Sequence, residues 1–427
     1  MSINTISVIG LGYIGLPTAA MFASKEKRVI GVDVNQYAVD TINAGKIHIV
    51  EPDLDVLVKD AVASGFLTAT VTPEPADAFI IAVPTPFLLN GGQGSTPTPD
   101  LSYIESAARG IAKVLKKGDL VVLESTSPVG ATEKMVEWLS QERPDLSFPG
   151  TPGVDCDVRV AYCPERVLPG KVVKELVMND RIIGGVTEAC SQAAIELYKL
   201  FVEGACSVTS VRTAEMAKLT ENASRDVSIA FANELSIICD NINVNVWELI
   251  ELANRHPRVN ILQPGPGVGG HCIAVDPWFI IANSEDDARL IRAARDVNDR
   301  KPQWVVDTII AETRQDLASS AKSIPKVFIF GLTFKPNIDD VRQSPALEIT
   351  KNVAQSQLFE ISVIEPNLDS KPVSLGSNII FHRELYSFPD DALIVVLVDH
   401  DIYRDQVNAL GKTHQLLDFC GAKIKGA

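Results

Sequence analysis

The sequence predicts an α/β fold in two separated parts, each a doubly wound and mostly parallel sheet, joined by an all-α region with a long connecting helix. Three observations predict it. Short apolar runs alternate with helical patterns through roughly the first two hundred residues, and the alternation returns near Lys326. Between these parts, from about Thr213, the apolar period is helical, through Asn254 and again from Asp286 to about Leu317. A glycine-rich turn, Gly10-x-Gly12-x-x-Gly15, joins the first apolar run to the first helical pattern. Alternation of strand and helix builds a parallel sheet covered on both faces.

Taken in order, residues 5–9, 29–33, 78–83, 120–124 and 159–162 are short apolar runs of the kind buried strands carry. Residues 37–44, 54–64 and 101–115 repeat their apolar positions at helical spacing. In the last part, 327–331, 361–364 and 393–398 are again buried-strand runs. The glycine- and proline-rich stretches 88–99 and 149–153 read as loops. The expected domain limits are 1–205, 206–320 and 321–427.

Composition sets the outer bounds. The 427 residues carry 39 Lys and Arg against 54 Asp and Glu, a formal charge of −15. Such a balance argues against a general nucleic-acid or anionic-membrane binder, which a phosphate polymer would repel. With 46% apolar and 22% charged residues the chain has ordinary globular composition, not that of a disordered one. The seven cysteines are scattered and never form CxxC, which fits a reducing compartment and no metal site of zinc-finger spacing. The run 6–23 lacks a basic flank and contains three glycines and a proline, so it is not read as a signal peptide. No window offers about 20 uninterrupted apolar residues. The expectation is a soluble, cytoplasmic protein.

The first motif follows a strand and opens a helix. Its glycines, Gly10, Gly12 and Gly15, permit a tight turn and let backbone N–H groups approach a pyrophosphate at the helix N-terminus. Asp33 ends the next strand, where a carboxylate binds a ribose 2′-hydroxyl, and no arginine follows in 34–39 to welcome a 2′-phosphate. The pattern points to NAD rather than NADP. A second motif, Gly265-Pro-Gly-Val-Gly-Gly-His-Cys272-Ile-Ala-Val-Asp276, packs glycines around a thiol. Most unpaired cysteines are small buried hydrophobes. Cys272 stands apart because its neighbours are Gly270, His271 and Asp276, so it reads either way, as core or as nucleophile. His271 has no partner at metal spacing and reads as structural. The third constellation, Lys218, Asn222 and Arg225, falls on one stripe of a helix. On spacing alone it is a solvated face. The apolar turns that follow in 227–239 suggest a buried helix instead, whose polar groups need a partner such as a substrate.

These segments together resemble the UDP-glucose/GDP-mannose dehydrogenase family. The resemblance is carried in order by the Gly10–Gly12–Gly15 turn, Val83-Pro-Thr85-Pro, Glu124-Ser-Thr126, Tyr162-Cys-Pro-Glu165, Ala214-Glu-Met-Ala-Lys218-Leu-Thr-Glu-Asn222, the loop through Cys272, and Gly331-Leu-Thr-Phe334-Lys335-Pro with Arg342. It implies two Rossmann-like domains, a central helical region that forms a homodimer, and NAD-dependent four-electron oxidation of a nucleotide-sugar C6 hydroxyl to a carboxylate. Pro164-Glu165-Arg166-Val167-Leu168-Pro169 and Arg255-His256-Pro-Arg258 resemble the members that act on UDP-N-acetyl-D-mannosamine. UDP-glucose members carry a second glutamate where this chain has Pro169.

By matching motif, the resemblance implies that Tyr13, Ile14, Asp33, Thr85, Thr126 and Arg342 contact NAD. It implies that Arg166, Val167, Asn222, Arg225, His256, Arg258, Gly269, Phe334 and Lys335 line the nucleotide-sugar site, with Arg258 reaching the partner subunit's site. Cys272 would be the nucleophile, Lys218 and Asp276 the acid/base pair, and Asp276 or Glu165 the group that activates the hydrolytic water. Alternatives stay open at this point: the same reaction on UDP-GlcNAc, UDP-glucose or GDP-mannose, a two-electron NAD dehydrogenase, or an NAD-binding redox sensor built on Cys272.

Overall fold

A computed structural model describes residues 3–88, 96–150, 156–168, 170–270, 272–319 and 324–422; His271 and Pro169 fall outside them. The chain divides into two compact units. One runs to Glu221 and takes back Trp278–Ser284; the other holds Asn222–Pro277 and the chain from Glu285 onward.

The first unit opens with β1 (Thr5–Ile9), α1 (Gly15–Ala23), β2 (Arg28–Val32), α2 (Gln36–Asn43) and α3 (Leu54–Ala63). It continues through β3 (Leu67–Thr70), β4 (Ala78–Ile81), β5 (Phe87–Leu88), β6 (Thr98–Pro99), α4 (Ser102–Ala112), β7 (Leu120–Leu123) and α5 (Ala131–Glu142). It closes with β8 (Arg159–Tyr162), α6 (Val172–Met178), β9 (Arg181–Gly185), α7 (Glu188–Tyr198), β10 (Cys206–Ser210) and the start of α8 (Val211–Asn241). Eight strands form one sheet in the order β10-β9-β8-β7-β4-β1-β2-β3, parallel except between β8 and β9. Strand order reverses direction between β1 and β4, the switch point at which such sheets bind ligands.

The apolar runs are continuous because both faces are covered. Along β4, Ala78 and Ile80 join one buried cluster while Phe79 and Ile81 join the other; Leu120 and Val122 divide from Val121 and Leu123 in the same way on β7. Strands at the far edge escape that signature. On β10 the residues are half-buried or exposed, and neither β10, β9 nor β3 was expected from the sequence. Within the expected loop 88–99, β5 and β6 pair as a two-residue antiparallel ladder. Of the loop at 149–153, residues 151–153 fall outside the described set.

The second unit holds the rest of α8, α9 (Val246–Ala253), the first residues of α10 (Asp276–Asn283) and α11 (Arg289–Ser319). It then builds β11 (Lys326–Phe330), α12 (Pro345–Gln355), β12 (Glu360–Ile364), β13 (Ile379–His382), β14 (Leu393–Val396), α13 (Arg404–Leu410) and β15 (Gln415–Asp418). Its five strands are all parallel, in the order β13-β12-β11-β14-β15. The helical region expected as far as Asn254 is two helices. Asn243 turns the chain at φ +54°, and the Asn245 side chain caps α9 by accepting from the Trp247 and Glu248 N–H groups.

Polar pairs fix α8 against α11. Arg295 meets Asp226 at 2.6 Å with both side chains essentially buried, and the Asn298 amide donates to the same carboxylate at 2.8 Å. Two turns on along α8, the Asn233 amide donates to Asn298 Oδ1 at 2.9 Å. Lys301 donates to Ser236 Oγ at 2.6 Å and lies 3.7 Å from the Trp304 ring centroid, and its burial pushes the ammonium pKa down to about 7. No helix among the described residues is long and apolar enough to cross a membrane.

Candidate active site

In the first unit the glycines of the β1–α1 turn divide into two kinds. Gly10 has φ +91°, and a Cβ there would sit 2.6 Å from the Ala82 carbonyl oxygen. A Cβ on Gly15 would fall 1.8 Å from the Gly10 oxygen. Both are required by the turn itself. Gly12 is different: nothing lies within 4 Å of its would-be Cβ, and it is exposed. Its small size keeps a surface open, as a pyrophosphate site requires. Tyr13 and Ile14, half-buried, follow it into α1.

Asp33 leaves β2 beside this turn. Its Oδ2 accepts from the Leu11 N–H at 2.8 Å and its Oδ1 from the Asn35 N–H at 2.9 Å, so the carboxylate is oriented by backbone donors and still has lone pairs for a diol. Val34, 95% exposed, and Tyr37 add apolar surface next to it. Neither was singled out in the sequence, where an isolated Val or Tyr carries no signal. Across the switch point, Thr85 Oγ1 donates to the Thr126 carbonyl at 2.5 Å, bringing two expected cofactor contacts together from the ends of β4 and β7.

Beneath the segment that begins at Glu165 lies a buried ionic cluster. Arg181 reaches Glu165 Oε2 at 2.7 Å and Glu124 Oε1 at 3.7 Å, and the Tyr198 hydroxyl donates to Glu124 at 3.1 Å. Glu165 Oε1 accepts from the Arg166 N–H at 2.6 Å. Burial outweighs the nearby guanidinium and pushes Glu124 up to about 7. Arg166 is half-buried and pairs through its guanidinium with Glu221 at 2.6 Å, a partner not legible in the sequence although it lies within the Ala214–Asn222 motif. Val167 packs against the core. Lys218, on α8, is buried.

The second unit carries the thiol. Cys272 is exposed; the other six cysteines are buried or half-buried, and burial pushes Cys163 up to about 12. The chain turns after it, with the Val275 and Asp276 N–H groups donating to the Cys272 carbonyl at 3.1 and 2.9 Å. Asp276 is buried at the start of α10 and accepts a hydrogen bond from the Asn222 amide, so residues far apart in sequence meet here. Lys218 lies one helical turn before Asn222 along α8. The glycine loop is anchored at its head, where Asn233 Oδ1 accepts from the Gly265 N–H at 2.9 Å.

Further along, the loop presses on the segment after β11. A Cβ on Gly269 would lie 2.6 Å from the Gln343 oxygen and 2.9 Å from Phe334 Cβ, and one on Gly270 would meet the Phe334 ring at 3.1 Å. Lys335 beside it is exposed. Other expected contacts stand on the surface. Arg225 is exposed on α8. His256 and Arg258 sit exposed in a loop closed by Asn254, which bonds reciprocally with Ile261. Arg342 forms a paired salt bridge with Asp340, at 2.6 Å for one nitrogen. Among the described residues no group of three or more His, Cys, Asp and Glu is arranged to hold a metal ion.

Comparison with known proteins decides the lineage. The NAD binding domain of the UDP-glucose/GDP-mannose dehydrogenase family matches residues 4–202, its central domain 212–300 and its UDP binding domain 328–422. This chain belongs to that family. As a UDP-glucose/GDP-mannose dehydrogenase family member it is an NAD-dependent oxidoreductase acting on a nucleotide sugar. It is 61% identical over 406 residues to the UDP-N-acetyl-D-mannosamine dehydrogenase of Escherichia coli K12, covering 95% of each chain. It is 62% identical over 401 residues to the NDP-N-acetyl-D-galactosaminuronic acid dehydrogenase of Ralstonia nicotianae, covering 94% of this chain and 92% of that one. A solved UDP-D-ManNAc dehydrogenase from Pyrococcus horikoshii superposes with a TM-score of 0.85 at 39% identity, covering 98% of this chain and 96% of its own. The open surface at Gly12 and the oriented carboxylate of Asp33 fit the family's NAD.

Proposed function

We propose that this enzyme oxidises the C6 hydroxyl of UDP-N-acetyl-D-mannosamine to the carboxylate of UDP-N-acetyl-D-mannosaminuronate. The observation that carries the reading is the exposed thiol of Cys272 on a loop pressed against Phe334, with Asp276 held by Asn222. NAD, when bound, is the two-electron acceptor in each oxidation. In the first, a base takes the hydroxyl proton and C6 becomes an aldehyde. The Cys272 thiolate adds to that carbonyl, giving a thiohemiacetal whose oxidation leaves a thioester. Water cleaves the thioester, releasing the acid and the thiol. Lys218 is assigned to the oxyanion and, with Asp276, to proton transfer. Glu165, with both oxygens engaged by Arg181 and the Arg166 N–H, is better suited to holding Arg166 and Val167 than to activating water, so that step is given to Asp276.

Gly10, Gly12, Tyr13, Ile14, Gly15, Asp33, Thr85, Thr126 and Arg342 are assigned to NAD, and the exposed Val34 and Tyr37 to its adenine. Arg166, Val167, Asn222, Arg225, His256, Arg258, Gly269, Phe334 and Lys335 are assigned to the sugar nucleotide. The domain limits 1–205, 206–320 and 321–427 are supported by the three family matches, each of which falls inside one of them. A homodimer through the central helices is supported by Phe231 and Ile238, apolar and exposed on α8, and by Ile242 just beyond it. A cytoplasmic setting is supported by seven scattered cysteines without a disulfide framework.

The name of the Ralstonia relative favours a second reading, an N-acetylgalactosamine nucleotide as substrate. Assaying the purified protein with UDP-N-acetylmannosamine, UDP-N-acetylgalactosamine, UDP-GlcNAc, UDP-glucose and GDP-mannose separates these. The expected result is highest kcat/KM for the mannosamine and two NADH per sugar, with no aldehyde trapped by semicarbazide. Cys272→Ala should bind NAD and make no acid. One NADH per sugar in the unmodified enzyme would overturn the covalent mechanism.

A further inference from the structure

The two large sheets use the same device at the same place. Gly10 and Gly331 follow the first strand of their sheets at φ +91° and +93°, and their N–H groups donate to Val32 and Ile364 carbonyls at 2.8 and 2.9 Å. Asp33 accepts from the Leu11 and Asn35 N–H groups at 2.8 and 2.9 Å. Glu365 accepts from the Leu332 and Asn367 N–H groups at 2.7 and 3.0 Å. The difference lies in what faces the carboxylate. Asp33 is half-buried, while Glu365 is wholly buried under His400, whose Nε2 lies 3.2 Å from Glu365 Oε2.

Two donors converge on the other imidazole nitrogen. The Asn337 N–H points at Nδ1 from 2.9 Å and the Asn367 amide from 2.8 Å. Nδ1 must accept, so the proton of the neutral ring is on Nε2, toward Glu365. Thr333 Oγ1 also touches Nε2, at 3.3 Å, and donates to the Lys335 carbonyl at 2.9 Å. Asn337 sits at φ +61° with its side chain bonded reciprocally to Asp401. The imidazole therefore contacts the chain on both sides of Lys335.

We propose that His400 is a positioning residue for the nucleotide-sugar loop. It occupies Glu365, the counterpart of the carboxylate assigned to a ribose in the first sheet, and it fixes Phe334 and Lys335 through Thr333 and Asn337. The second sheet thereby gives up ribose binding at its acid and gains a rigid loop. This rests on the assignment of Phe334 and Lys335 to the sugar nucleotide.

Two variants divide the functions of the ring. His400→Gln keeps an N–H donor for Glu365 and supplies no acceptor at the Nδ1 position. His400→Asn supplies that acceptor and leaves Glu365 with its backbone donors. UDP binding by calorimetry and steady-state kinetics would be measured on the full chain, with Lys335→Ala alongside. The expected result for His400→Gln is a tenfold or greater rise in UDP Kd and nucleotide-sugar KM, with kcat and the NAD KM within twofold. His400→Asn should recover most of the UDP affinity. Unchanged UDP affinity in His400→Gln, beside weakened binding in Lys335→Ala, overturns this proposal alone. Equal losses of kcat, NAD and UDP affinity in both His400 variants overturn it in favour of a purely structural role. If Lys335→Ala binds UDP normally, the loop assignment falls and this proposal with it.

Discussion

Replacing Gly12 by alanine adds one carbon at the mouth of the β1–α1 turn, where nothing lies within 4 Å of it and the backbone is outside the left-handed region. No contact opposes the methyl in the folded protein, and it restricts the unfolded chain, so stability should hold or rise by about 0.4–1 kcal/mol. The same carbon stands where, on the assignment proposed above, the NAD pyrophosphate approaches the backbone. Losing even one charge-assisted hydrogen bond costs about 1.5–3 kcal/mol, which is roughly a 10- to 150-fold weaker NAD complex. Gly15→Ala supplies the contrast. Its Cβ would lie 1.8 Å from the Gly10 oxygen, a backbone atom that cannot swing aside. The cost should reach or pass the upper end of the ~1–3 kcal/mol typical of overpacking. Urea denaturation and NAD titration of both variants measure the two quantities separately. A Gly12→Ala protein destabilised by more than ~1 kcal/mol, or one that binds NAD as tightly as the parent, would refute the reasoning.

Asp33→Ala should weaken NAD by ~1–3 kcal/mol, and the unmodified enzyme should reject NADP; equal turnover with both cofactors would count against the carboxylate's assignment. Gly269→Ala forces a Cβ to 2.6 Å from the Gln343 oxygen. A loss of ~1–3 kcal/mol is expected, with a nucleotide-sugar KM that rises about tenfold by displacement of Phe334 and an NAD KM that does not move. Glu124, raised from 4.5 to about 7 by burial, keeps its proton in the folded state at pH values where the unfolded chain has lost it. Its contribution is present in full below pH 4.5 and lost as pH rises to about 7, up to ~3 kcal/mol at 1.36 kcal/mol per unit. Glu124→Gln should therefore gain stability over the parent as pH goes from 5 to 8 in thermal melts; parallel curves would rule this out.

Where strands are covered on both faces, the sequence was legible. On β4, β7 and β14 every residue is apolar and serves one of two cores, and a continuous run results. Edge strands such as β10 have no such constraint, and β13 and β15 likewise passed unread. Motifs named the candidate site residues one at a time, because clustered glycines and a cysteine among them are local features. The partners were not legible. Arg166 with Glu221, Glu165 with Arg181, and His400 with Asn337 and Glu365 are meetings of segments that only the tertiary fold decides. For the same reason Asn222 gave no hint of Asp276.

The asparagine at position 233 gives an amide in the glycine loop an unusual solvent history. Its Oδ1 holds the Gly265 N–H while its own amide is engaged by Asn298 on the facing helix. Deuterium can reach that N–H only after Asn233 lets go, and Asn233 is wholly buried between α8 and α11. The Gly265 amide should thus exchange in step with the slow openings of the two long helices, even though it belongs to a loop rich in glycine. Protection at that one proton reports whether the helix pair is closed, and with it the footing from which the chain sets out toward Cys272.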